Sequence, residues 1–134
     1  MAQSIDHIAV VVRDLDQALS FYRDALGLDV TEHRKVLEEH VEVASLALGD
    51  ISIELVQPLS AGSGVARFLE KRGEGLHHVC LTVNDIAVAM EQLRDAGAEL
   101  ITEEPRVGVD GRRYAFIHPK PAHGVLLELY EGVE

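Results

Sequence analysis

The sequence is poor in the features that mark several common protein classes. It has a single cysteine, Cys80, so no disulfide can form within the chain, which is typical of a reducing compartment. It has no tryptophan and only four prolines, and its early apolar stretch, residues 8–12, is far too short to span a bilayer. No basic segment precedes that stretch, so no secretion signal is indicated. We therefore expect a cytoplasmic protein with no membrane partner.

Positive charge is also scarce. The chain has 23 Asp and Glu residues against 12 Lys and Arg residues, which gives a net charge of −11. This balance disfavours a broad surface for nucleic acid or anionic lipid. What the chain does have is 47% hydrophobic residues over 134 positions, enough for one globular domain with its own core. We expect a single domain over residues 1–134 that does not bind nucleic acid.

The chain contains an internal repeat at a shift of 71 residues. Residues 5–25 (IDHIAVVVRDLDQALSFYRDA) align with residues 76–96 (LHHVCLTVNDIAVAMEQLRDA), and seven aligned positions are identical. Chance predicts about one or two identities, so a duplication is indicated. The similarity returns further on, where residues 53–57 (IELVQ) resemble residues 127–131 (LELYE).

Each half of the repeat predicts one strand, one helix and three further strands. Asp14 and Asp85 stand where a helix N-cap belongs, and Gly27 and Gly97 stand where the helices should end. The pattern predicts an α+β fold of two tandem βαβββ modules, at about 4–57 and 75–131, joined by a linker helix at about 63–72. The further strands are expected at 28–36, 40–48 and 51–57, and at 98–102, 112–118 and 124–131.

Strand alternation places four potential metal ligands at matching positions of the two halves. His7 and Glu54 each lie on the strand face opposite to their apolar neighbours, and the repeat gives His78 and Glu128 the same roles. A single histidine or glutamate of this kind is more often a packed or solvated residue, but its duplication favours a ligand. Two imidazoles and two carboxylates predict a divalent transition-metal site with positions open for substrate oxygens. The adjacent His77 faces the other way.

Several segments resemble a known superfamily over essentially the whole chain. The paired strands IDHIAVVV and LHHVCLTV, with ELVQP and LLELYE, resemble the vicinal oxygen chelate (glyoxalase/bleomycin resistance) superfamily. That resemblance implies that the two modules form a metal-centred, eight-stranded cup. GEGLHHVCLTV, EEPRVGVDGRRYAFIHPK and HGVLLEL are more narrowly similar to the methylmalonyl-CoA epimerase family.

The resemblance implies an isomerase that interconverts (2R)- and (2S)-methylmalonyl-CoA. The C2 proton would be abstracted through a metal-stabilised enolate, with an acyl-CoA as the substrate. His7, Glu54, His78 and Glu128 match the metal-binding positions of that family. The resemblance further implies one divalent metal per site, with cobalt first and manganese, nickel or zinc as alternatives, and a homodimer.

Epimerisation needs two acid/base groups, one for each face of the planar intermediate. Glu128 is one candidate, and Glu54 is the second. Several epimerases have a catalytic glutamate at the position of Val43, so the neighbouring Glu42 becomes the second base if the strand register shifts by one residue. Basic residues near the C-terminal hairpin are candidate contacts for the CoA phosphates, although solvated loop charges are an equal alternative. These residues are Arg106, Arg112, Arg113 and Lys120.

Two other functions remain open at this point. Glyoxalase I (lactoylglutathione lyase) fits the His/Glu/His/Glu set equally well, but the segment from 103 to 120 favours the epimerase. A binding module of the antibiotic-resistance type, either sequestering or thiol-transferring, is the other alternative. The four potential ligands disfavour sequestration, because sequestering members of the superfamily lack them.

Overall fold

The computed structural model describes residues 1–108 and 110–132, and the chain divides into two compact units. The first unit comprises His7–His77. The second unit combines Met1–Asp6 with the described residues from His78 onward. Because the boundary falls inside the first strand, that strand contributes residues to both units. The domain limits inferred from the sequence stay a prediction.

The first unit is built on four strands, which are β1 (Ala2–Val11), β2 (Asp29–Val36), β3 (Val41–Leu48) and β4 (Ile51–Pro58). Their order in the sheet is β2-β3-β4-β1. β1 runs parallel to β4, and the other neighbours are antiparallel. A short 3₁₀ turn, Leu37–Glu39, connects β2 to β3.

Two helices belong to the first unit. α1 (Leu15–Leu19) begins at Asp14, whose carboxylate accepts a hydrogen bond from the Gln17 N–H, so the predicted N-cap is confirmed. The helix widens into a π-helix over Ser20–Ala25 and ends at Gly27, which has a positive φ of 78°. α2 (Gly64–Arg72) lies where the linker helix was expected.

The second unit repeats the pattern with mostly shorter strands. Its elements are β5 (Gly75–Val83), α3 (Ile86–Asp95), β6 (Arg106–Val107), β7 (Arg113–Ile117) and β8 (Leu127–Glu131). The strand order is β1-β5-β8-β7-β6, with β5 parallel to β8 and with β8, β7 and β6 antiparallel. The Asp85 carboxylate accepts from the Val88 N–H at the start of α3, as predicted, and Gly97 follows with φ 87°.

Each unit packs its helix on one face of its strands. In the first unit, the core beneath α1 consists of Val12, Leu15, Leu19, Ala44, Leu46, Ile53 and Leu55. The opposite face carries a second apolar cluster of Ala9, Val41, Val43 and Val56, covered in part by Val36 and Val65. The core of the second unit consists of Val83, Ile86, Ala89, Met90, Ala115, Ile117 and Leu129. The predicted strand faces are therefore confirmed.

The strand expected at 98–102 is wrong. Leu100 forms only an isolated bridge with Ile117. The N–H groups of Ile101 and Thr102 both donate to the Phe116 carbonyl, and the Thr102 hydroxyl accepts from the Phe116 N–H. The Thr102 hydroxyl thus occupies the Phe116 N–H, and two successive amides share the Phe116 carbonyl. For this reason the segment bends instead of extending the ladder of backbone hydrogen bonds.

The last strand begins three residues later than expected, at Leu127. The preceding residues form a turn in which the N–H groups of Ala122 and Gly124 both donate to the Pro119 carbonyl. His123 and Gly124 both have positive φ, at 57° and 99°, which an extended strand cannot accommodate. No helix in the described part of the chain is both long and apolar enough to cross a bilayer.

Candidate functional site

In the first unit, His7 and Glu54 form a pair on the strand face opposite to α1. β1 and β4 run side by side, with His7 aligned with Ser52 and Ala9 aligned with Glu54. This offset brings the imidazole Nδ1 of His7 to 3.6 Å from Oε2 of Glu54. The His7 side chain is 6% exposed and that of Glu54 is 20% exposed, so one edge of the pair is accessible.

The second unit contains the equivalent pair, His78 and Glu128. The imidazole Nε2 of His78 lies 3.0 Å from Oε1 of Glu128, and both side chains are largely buried. The ring of Phe116 meets the His78 ring edge-on, with centroids 5.4 Å apart, and Phe116 is aligned with Glu128 across β7 and β8. The aromatic contact therefore fixes the imidazole beside the carboxylate.

Each pair provides one imidazole nitrogen and one carboxylate oxygen. This donor combination suits divalent metals such as cobalt, manganese, nickel or zinc. Histidines that bind metals usually have their ring orientation held by neighbouring groups, and a buried imidazole next to a carboxylate meets that condition. On the chemistry of their donors, both pairs fit a divalent metal.

The structure separates Glu42 from this face of the first unit. β3 aligns Val43 with Val56 and Ser45 with Glu54, so Val43 shares the face of Glu54 and Glu42 lies on the other. There, Oε2 of Glu42 is 2.7 Å from Nε2 of His33. The register shift that would have made Glu42 the second base is therefore wrong.

Two of the basic residues expected to contact CoA are engaged within the second unit. Arg113 binds the Glu131 carboxylate with two N–H groups, at 3.1 and 2.7 Å. This contact, with help from the Ile86 N–H, holds the pKa of Glu131 below its usual range. Arg112 donates to the Glu131 carbonyl at 2.8 Å and stacks on the Tyr130 ring at 3.8 Å.

Tyr130 anchors the loop that precedes β7. Its hydroxyl donates to the carboxylate of Asp110, which also accepts from the Arg112 N–H. Burial raises the pKa of Tyr130 well above its usual value, and the hydrogen bond to Asp110 adds to the shift. A Cβ at Gly108 would lie 3.3 Å from the Asp110 side chain, so the loop packs tightly against this group.

The other predicted residues are exposed or packed elsewhere. Arg106 and Lys120 are exposed, in β6 and in the turn after β7. The backbone N–H of Lys120 donates to Nδ1 of His118. His77 packs its ring edge-on against Phe68 of α2, with centroids 4.9 Å apart, which gives it a packing role.

Sequence reasoning missed one charged residue on the face of the first unit that carries Glu54. Arg34 is aligned with Val43 across β2 and β3 and is paired with Glu32 at 2.5 Å. Its Nε is the one buried side-chain nitrogen or oxygen without a hydrogen-bond partner among the described residues. The sequence holds no motif for this position, because the placement depends on register across three strands.

Comparison with known proteins gives consistent results. A profile of the Glyoxalase/Bleomycin resistance protein/Dioxygenase superfamily matches residues 6–116. The ethylmalonyl-CoA/methylmalonyl-CoA epimerase of Cereibacter sphaeroides is 39% identical over 131 residues, covering 96% of this chain and 98% of that one. The mitochondrial methylmalonyl-CoA epimerase of Mus musculus is 40% identical over 129 residues, covering 96% and 72%.

Among solved structures, a variant of Streptomyces coelicolor methylmalonyl-CoA epimerase in complex with 2-nitronate-propionyl-CoA matches with a TM-score of 0.90. It is 34% identical, and the match covers 100% of both chains. The predicted fold class and family resemblance are thereby confirmed. The chain belongs to the Glyoxalase/Bleomycin resistance protein/Dioxygenase superfamily.

Proposed function

We propose that this protein interconverts (2R)- and (2S)-methylmalonyl-CoA. The observation that carries the proposal is the duplicated histidine–glutamate pair, His7 with Glu54 and His78 with Glu128. The named epimerases, which match nearly the whole chain, support the same reaction and an acyl-CoA substrate.

The two pairs together bind one divalent metal in this proposal. His7 and His78 supply the nitrogen ligands, and Glu54 and Glu128 supply the oxygen ligands. When bound, a divalent cation supplies Lewis-acid stabilisation of negative charge on the substrate oxygens. Cobalt is the first candidate, and manganese, nickel and zinc accept the same ligands.

Proton transfer at C2 is assigned to the two glutamates. One glutamate, as the carboxylate, removes the C2 proton, and the other, as the neutral carboxylic acid, returns its proton to the opposite face of the planar enolate, so the two exchange protonation states in each turnover. Glu128 and Glu54 occupy equivalent positions of the repeat, so each unit contributes one group. Val43, on the same face as Glu54, cannot transfer a proton, and Glu42 lies on the other face.

Exposed cations bind the CoA phosphates in this proposal. Arg106 and Lys120 are exposed, whereas Arg112 and Arg113 are already paired within the second unit. We therefore expect Arg106 and Lys120 to contribute more to substrate affinity than Arg112 and Arg113. A homodimer in the cytoplasm is the form in which we expect the enzyme to act.

Solvent exchange tests the reaction directly. The metal-loaded protein is incubated in deuterium oxide with (2R)- or (2S)-methylmalonyl-CoA, and exchange at C2 and conversion of each epimer are followed. We expect both epimers to exchange and interconvert, and a chelator to abolish this. The methylglyoxal–glutathione hemithioacetal serves as the control substrate. If the protein converts only that adduct, the proposed epimerase function is wrong and glyoxalase I is the function.

A further inference from the structure

The edge strand of the first unit places one arginine on the face that carries His7 and Glu54. The register aligns Arg34 with Val43, and Val43 in turn with Val56. Glu32, Ser45 and Glu54 form the neighbouring row of the same face. Arg34 therefore lies two strands from β4, or about 10 Å across the sheet, a distance that one substrate molecule can span.

The hydrogen bonding of Arg34 is incomplete. Its side chain is 31% exposed, so part of it is accessible. NH1 pairs with Oε1 of Glu32, but Nε is buried and has no hydrogen-bond partner among the described residues. A buried donor without an acceptor costs folding free energy, and native proteins leave few such groups.

The cross-strand neighbour of Arg34 offers no acceptor for that nitrogen. Its cross-strand neighbour is Val43, which belongs to the apolar cluster with Val41 and Val56. Glu32 already holds one edge of the guanidinium and thereby orients the planar fork. Arginine binds carboxylate and phosphate oxygens through two adjacent N–H groups. An anionic oxygen is therefore the group that would complete the hydrogen bonding of this guanidinium.

We propose that Arg34 binds an anionic oxygen of the acyl-CoA substrate. The inference rests on the proposed function and adds a binding residue in the first unit. An acyl-CoA of this type has two sources of such oxygens, the free carboxylate of the malonyl group and the phosphates of CoA. Arg34 is a binding residue and takes no part in proton transfer.

Equilibrium binding and turnover of Arg34→Gln test the proposal. Lys35→Gln is the matched control, because it removes the same charge from the next residue, on the other face of β2. We expect Arg34→Gln to raise both the Kd and the KM for methylmalonyl-CoA by about 10- to 100-fold with kcat nearly unchanged, as for loss of a charged hydrogen bond. Lys35→Gln should stay within about twofold of the wild type.

A thermal melt keeps the binding result interpretable. Because the buried Nε has no partner, Arg34→Gln should unfold no earlier than the wild type. Arg34→Lys keeps the charge but loses the fork, so its affinity should fall between those of the wild type and Arg34→Gln. A variant that melts early and loses affinity only in proportion to its unfolded fraction would overturn the binding role.

A second ligand separates the two sources of the anionic oxygen. Propionyl-CoA has the phosphates but lacks the free carboxylate. If Arg34→Gln weakens both ligands equally, the contact is with a phosphate; if it weakens only methylmalonyl-CoA, the contact is with the carboxylate. Either result supports the proposal. Unchanged affinity for both, with a wild type that epimerises normally, overturns it. A wild type without epimerase activity counts against the proposed function instead, since the binding comparison needs no turnover.

Discussion

In the first unit, the face that carries the histidine–glutamate pair holds a cluster of aliphatic side chains beside the Arg34–Glu32 ion pair, whereas the equivalent face of the second unit carries aromatic rings. Val41, Val43 and Val56 cluster on the first. Phe116 and Tyr130 lie on the second, beside a network of hydrogen bonds and ion pairs. The repeat thus keeps the candidate ligands and changes what surrounds them.

The two units also share a hydrogen bond between a strand side chain and the first N–H group of the helix. In the first, the side chain of Gln57 accepts a hydrogen bond from the N–H of Leu15 at 2.7 Å, at the start of α1. In the second, the carboxylate of Glu131 accepts from the N–H of Ile86 at 3.1 Å, at the start of α3. The last strand of each repeat therefore satisfies the first orphan amide of its helix. The first unit uses a neutral group for this, and the second a charged one.

The largest effect should come from removing either of the two histidines proposed as metal ligands. We expect His7→Ala and His78→Ala each to lower metal affinity by more than about 100-fold and to abolish C2 exchange, because each removes a nitrogen ligand. Metal content by elemental analysis and deuterium exchange measure this. His77→Ala, which removes only a ring contact with Phe68, is the control and should retain both properties. One metal per chain at wild-type affinity in His78→Ala would exclude that residue as a ligand.

The next largest effect should be confined to one face of the substrate. Glu54→Gln keeps an oxygen ligand but removes a base, so the variant should retain metal. Exchange of one C2 epimer should slow by about 100-fold or more relative to the other. The rates are measured separately for the two epimers by NMR in deuterium oxide. Glu42→Gln should be silent, and equal exchange of both epimers in Glu54→Gln would remove Glu54 from proton transfer.

A smaller effect should distinguish the two helix contacts by pH. Glu131→Gln makes the second unit resemble the first, and we expect a loss of about 1–2 kcal/mol in the free energy of unfolding at pH 7. Because the folded protein lowers the pKa of Glu131, its stabilisation is fully present above the unfolded-state pKa and is lost as pH falls through the folded-state value. The difference between wild type and variant, measured by denaturant unfolding, should therefore shrink below about pH 4.

Gln57→Leu provides the comparison in the first unit. It removes a neutral hydrogen bond, so its destabilisation should stay constant across the same pH range. The loss in the free energy of unfolding could instead vary with pH in Gln57→Leu as it does in Glu131→Gln. In that case the charge of Glu131 would not be what distinguishes the two contacts.

The smallest effect concerns the polar network of the second unit. Tyr130→Phe removes the hydrogen bond to Asp110 but leaves a ring on which Arg112 can stack. We expect a loss of about 0.5–1 kcal/mol in the free energy of unfolding, measured by thermal or chemical denaturation. Tyr114→Phe provides the comparison on the neighbouring strand. A loss several times larger would mean that Tyr130 supports more than the loop.

The repeat made much of this architecture predictable. Alternation predicts that His7 and Glu54 lie on the strand face opposite to the helix, and duplication extends this prediction to His78 and Glu128. The two aspartate caps follow from local rules. The bend at Thr102 was not predictable, because it depends on a side chain that replaces a ladder hydrogen bond. Arg34 was missed for a related reason. Its importance lies in an unsatisfied nitrogen, which exists only once the strands are paired.

The single cysteine of the chain has a practical consequence. Cys80 lies in β5, aligned with Glu128 of β8, and its side chain is fully buried. A thiol reagent can reach it only when the structure around it opens, so the labelling rate measures how often that opening occurs. With one sulfhydryl in the sequence, every modified molecule reports the same event without any engineered probe. Slower labelling after metal addition would show that the bound ion reduces access to this thiol.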